Sequence, residues 1–233
     1  MGRWLIELSG DRMDLEEFPR WFPDGKIFAI EEKGRFFLTG PEFDCLPNVE
    51  AVRNDAIGAL DRFWAVISLL WSGVRRPTIS SISQETDEGG RSTYVLISGS
   101  ATLRAKASGT LEVGGIPATP GPTQAQELLR IAKQSPNLDI ALSVWAHPYR
   151  SWAQLYRILG EVEKYLGEPV NKKGFCSDNK RERFRRTANS AEAAGIDARH
   201  EAGGSRKPDD PMSLEEGTSF IADILLTVLQ NAA

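Results

Sequence analysis

Apolar and polar residues alternate where the chain opens: Trp4, Ile6 and Leu8 stand against Arg3 and Glu7, the period of two that marks a half-buried strand. Residues 14–22 then read as a short helix, with Asp14 as its cap and Glu16 and Glu17 in its first turn. Two β runs follow, 26–31 and 35–39, joined at Lys33 and Gly34, where glycine supplies the positive φ that a tight turn needs. From Asn48 the period changes. Val49, Val52, Ala56, Leu60, Phe63, Trp64, Ile67 and Trp71 recur at three and four residues, which predicts a long helix capped by Asn48 and ended by Gly73. Residues 77–84 and 91–106 read as strands around an Asp-Glu-Gly-Gly turn.

That succession predicts an α+β fold over residues 1 to about 115, an antiparallel sheet with helices packed on one face, followed by an α-helical C-terminal domain. The boundary falls in a Gly- and Pro-rich stretch that has no period beyond a short strand at 111–113. It sets an α+β domain at 1–113, a linker at 114–122 and a helical domain at 123–233. In the helical half, Thr123 with Gln126, Ser151 with Gln154 and Ser213 with Glu216 each have the capping-box form. A short helix is expected near 138–145, and Ser177 can cap another whose few apolar positions are Phe184 and Ala188.

Composition narrows the class. A hydrophobic fraction of 41% over 233 residues, with six Trp and ten Phe, belongs to a chain that buries a core. The net charge of −4 gives no field over the whole molecule that would draw it to nucleic acid or an anionic membrane. The longest apolar stretch, 63–71, is far short of the roughly 20 residues of a membrane span, so no membrane partner is expected. Cys45 and Cys176 read as free thiols of a reducing compartment, and with no signal-peptide pattern at residues 1–4 the expected location is cytoplasmic.

Candidate chemistry gathers between residues 172 and 207. Lys172, Lys173, Lys180, Arg181, Arg183, Arg185 and Arg186 face only Asp178 and Glu182 in the stretch 172–186, a local basic run able to contact phosphates or other anions. The competing reading is a solvated helix face, or arginines paired with acids elsewhere. Further on, His200 beside Arg199 would tend to stay neutral and serve as a base, with Arg199 stabilising a phosphoryl oxyanion. A structural hydrogen-bonding role for this pair is the alternative. His147, before Pro148, reads as a helix-end residue. Two His and two Cys without ligand spacing make no zinc site, and no phosphate-loop or dinucleotide motif is visible, so neither metal nor cofactor is expected.

Several pieces carry a resemblance: the opening run from Trp4 to Gly10 with the Asp14-Leu15-Glu16 that follows, Gly34 to Leu38, Ser151 to Arg157, Thr187-Ala188-Asn189, Ala198-Arg199-His200 and Pro211 to Leu214. Together they resemble a group of uncharacterised bacterial proteins. The C-terminal half, through Glu161 and the Arg199-His200 pair, also resembles HEPN domains, small helical domains that include metal-independent ribonucleases and non-catalytic partners of toxins or defence systems. In those ribonucleases the arginine and histidine lie a few residues apart on one helix, whereas here they are adjacent, and adjacent helical residues point in different directions. The residues therefore favour a non-catalytic binding or accessory module acting on a protein or ligand partner, a protein partner being another chain or a second copy of this one. The alternative is a HEPN-like ribonuclease that holds nucleic acid on the basic run.

Overall fold

In the computed structural model, which describes residues 2–71, 73–86, 90–95, 123–198 and 208–232, the opening alternation forms strand β1 (Arg3–Ser9). With β2 (Phe28–Glu32), β3 (Arg35–Thr39), β4 (Thr78–Glu85) and β5 (Arg91–Val95) it builds a five-stranded antiparallel sheet in the order β2-β3-β1-β4-β5. The central place of β1 explains a departure from the expected pattern. Leu5, on the face opposite Trp4 and Ile6, is fully buried as well, because both faces of this strand are covered there. The β2–β3 hairpin turns at Lys33 (φ 54°) and Gly34 (φ 75°), the two positive φ values that a type I′ connection requires.

Helix α1 (Arg12–Trp21) starts earlier than its pattern predicts. Its cap is Asp11, which accepts the Met13 N–H at 3.0 Å, while Asp14 is buried inside the first turn and accepts the backbone N–H of Arg75 at 3.0 Å. Either aspartate could cap in isolation; the amide arriving from Arg75 claims the second. A short α2 (Pro41–Asp44) sets Asp44 to accept the Trp4 N–H at 2.8 Å. In α3 (Val49–Leu70) Asn48 caps as expected, accepting the Ala51 N–H at 2.9 Å.

The C-terminal region is helical: α4 (Gln124–Gln134), α5 (Pro136–Trp145), α6 (Trp152–Leu166), α7 (Asp178–Asn189), a short α8 (Ala191–Ala194) running into a 3-10 turn at Gly195–Asp197, and α9 (Leu214–Asn231). The capping boxes of Thr123 and Ser151 close in both directions. The third is half made, for Ser213 accepts the Glu216 N–H at 3.0 Å but the Glu216 carboxylate goes to Arg183. The expected strand beyond Val95, the strand at 111–113 and the linker at 114–122 lie outside the described residues.

The chain forms two units. One holds the sheet, α1, α2, α3 as far as Leu60 and the start of α4; the other holds α3 from Asp61 and the chain from Glu127 onward. The first buries Leu5, Ile6, Phe18, Phe37 and Ile82. The second is built around Phe184, whose ring lies 5.7 Å from Trp152, 6.4 Å from Tyr156 and 5.3 Å from Phe220 between centroids. Close packing there has a sequence requirement. A Cβ on Gly217 would come within 2.7 Å of the Trp152 ring, so α9 can approach α6 only because this position carries no side chain.

Candidate functional site

The basic run places its charges on and just before α7, and each one meets a partner. Arg181 makes a two-point contact with Glu163 of α6 at 2.6 and 2.8 Å, with both side chains about four-fifths buried (17% and 20% exposed). Arg183 grips Glu216 of α9 through both terminal nitrogens and donates Nε to the Asp210 carbonyl at 2.7 Å. These carboxylates hold the two guanidinium groups above their ordinary pKa values. Arg185 and Arg186 share Glu182, at 3.2 and 2.9 Å. Ahead of the helix Lys173 pairs with Glu168 at 2.8 Å and Lys172 approaches Asp178 at 3.7 Å. Lys180 sits over the Phe220 ring, 5.1 Å from its centroid.

Geometry therefore spends the charge that composition displays. Four of the anchoring carbonyl and carboxylate groups, on Glu163, Glu168, Asp210 and Glu216, lie outside the run itself. Arg181 and Arg183 act as ties from α7 to α6 and α9. Arg199 and His200 lie outside the described residues. His147 follows α5, exposed, and its backbone N–H donates to the Val144 carbonyl at 3.3 Å. Cys176 is half-buried, and burial pushes its thiol above the ordinary value, away from reactive thiolate. Among the described residues no group of three or more His, Cys, Asp or Glu could hold a metal ion, and no helix is long and apolar enough to cross a membrane.

An unspent charge lies elsewhere in the helical unit. After α5 the chain turns through Pro148 and reaches Arg150, immediately before the cap Ser151 of α6. The Arg150 guanidinium stacks on the Trp145 ring, 3.9 Å from its centroid, and its Nε donates to the Trp145 carbonyl at 3.1 Å. Trp145 is in turn held by a bond from its indole N–H to Ser68 of α3 at 2.9 Å. Burial depresses the Arg150 pKa from its ordinary value, and among the described residues no carboxylate comes within ion-pair distance to offset that.

Beside Arg150 opens a groove of about 610 Å³. Tyr149 and Leu214 supply apolar wall, Thr218 and Ser219 line it from α9, and Asp197 and Glu215 stand in it without ion-pair partners among the described residues. Tyr149 is 87% exposed, a large ring open to solvent. Sequence reasoning missed Arg150 and Glu215. The available signal was an arginine directly before a helix-capping serine, five residues after a Trp that ends a helix. No protein-family model, curated protein or solved structure matches this chain.

Proposed function

We propose that this chain is a non-catalytic binding module and that the groove beside Arg150 is its recognition site. The observation that carries the reading is the Arg150 guanidinium, partly desolvated, stacked on Trp145 and without a carboxylate partner among the described residues. A buried charge without a counter-charge costs stability, and such groups concentrate where a ligand supplies the missing partner. The basic run supports the same reading from the other side. Arg181 and Arg183 are already engaged within the chain, so binding phosphates through them would break the ties from α7 to α6 and α9.

The deciding experiment uses the full chain as bait in extract of its native host, beside an RNA-degradation assay. Wild type is expected to retain a partner or ligand that Arg150→Gln loses and Lys180→Gln keeps, and to leave RNA intact. RNA cleavage by wild type that His200→Ala abolishes would replace this reading with the ribonuclease one.

A further inference from the structure

The groove carries charges of both signs that no described residue neutralises. Among the described residues the two terminal nitrogens of Arg150 have no acceptor, while Asp197 in the 3-10 turn and Glu215 in the first turn of α9 line the same space without pairing to it. A cation and two carboxylates that share a groove and do not neutralise each other fit a ligand that presents the complementary charges at two separate points. A planar carboxylate suits the guanidinium fork, whereas a doubly charged phosphate would meet Asp197 and Glu215 as like charges. The volume is also larger than one small ion needs, and it falls within the range of roughly 300–1,000 Å³ typical of organic ligands. Tyr149 and Leu214 offer apolar surface for the middle of such a ligand.

We propose that the groove binds a zwitterionic, peptide-like ligand, with its carboxylate on Arg150 and its ammonium toward Asp197 and Glu215, the chemistry of a short peptide with free ends. This rests on the groove being the recognition site of a binding module.

Isothermal titration calorimetry on the full chain tests it with trialanine, its C-terminal amide, N-acetyl-trialanine and inorganic phosphate. Trialanine should bind, and blocking either end should weaken binding about tenfold, the worth of one charge-assisted contact. Arg150→Gln should erase the difference between acid and amide while keeping that between free and acetylated amine. Glu215→Gln, at an exposed position, should narrow the difference between free and acetylated amine while keeping that between acid and amide. Failure of trialanine to bind, equal affinity for acid and amide, or phosphate binding as tightly would overturn the proposal. If a host partner is nevertheless held through Arg150, only the ligand class falls. If partner retention ignores Arg150→Gln, the recognition-site reading falls with it.

Discussion

Arg183 reaches Glu216 with both terminal nitrogens, and in doing so it takes the carboxylate that local sequence assigns to the cap of α9. The exchange ties α7 to α9 and leaves the capping box with one arm. Glu216 is partly exposed, so solvent screening lowers the worth of the pair. Arg183→Ala is expected to cost about 1 kcal/mol in chemical denaturation, softened because the freed carboxylate can turn back to its cap. A double-mutant cycle with Glu216→Gln should give a coupling of about 0.5–1 kcal/mol, and a coupling of zero would show that water replaces the tie without loss.

Gly217 and Gly160 should respond to alanine in opposite directions. At Gly217 the added methyl would meet the Trp152 ring, and Gly217→Ala is expected to lose about 1–3 kcal/mol through overpacking. At Gly160, inside α6, an added Cβ meets nothing within 4 Å among the described residues beyond the helix's own backbone and its chain neighbours. Gly160→Ala should gain about 0.5–1 kcal/mol from the better helix former. Thermal melts of the two variants and wild type check both signs.

Two serines of the helical unit should differ as sharply. Ser68 accepts the Trp145 indole N–H, so Ser68→Ala leaves that donor bare at a cost of about 1–3 kcal/mol. The Ser190 hydroxyl is buried and has no partner among the described residues. Removing it relieves an unsatisfied group, and Ser190→Ala is expected to be neutral or stabilising. A loss above about 1 kcal/mol in urea unfolding would mean that the hydroxyl has a bound water or other partner worth keeping.

Acid should weaken the sheet through Glu7. Hydrogen bonding from Arg35, aided by Ser81, holds the Glu7 carboxyl below its ordinary value of 4.5. The unfolded chain then takes up this proton at higher pH than the folded one does. The stabilisation is full above the ordinary value and is lost as pH falls from there through the lower folded value. The stability difference between wild type and Glu7→Gln should therefore be constant near about pH 7 and shrink toward about pH 3, followed by urea midpoints. A difference that grows on acidification would contradict the assignment.

Local signals in the sequence carried furthest where the physics is local. Asn48, Ser151, Ser177 and Ser213 cap their helices as their sequence positions predict, because a side-chain oxygen needs only an amide three residues ahead. The same rule misplaced the cap of α1, since the amide that claims Asp14 belongs to Arg75, sixty-one residues away. Charge behaved likewise. The basic run was visible in composition, but Glu163 and Glu216 are brought to it by packing, which spacing does not report. Arg150 escaped notice for the converse reason. Its place between Trp145 and the cap Ser151 is a weak local signal, and it gains meaning only once Trp145 is fixed by Ser68 and α9 lines the groove.

Helix α3 passes from one unit into the other at Leu60 and Asp61, and the chain then returns to the first before completing the second. During synthesis the stretch that carries Ser68 therefore leaves the ribosome well before Trp145, the side chain it will hold, and before any of α9. The helical unit can close only once α9 has been made, so its formation waits on segments far apart in sequence and slows with that separation. No single cut frees it intact: a fragment beginning at residue 123 would present the Trp145 indole without its acceptor and Asp139 without Arg62.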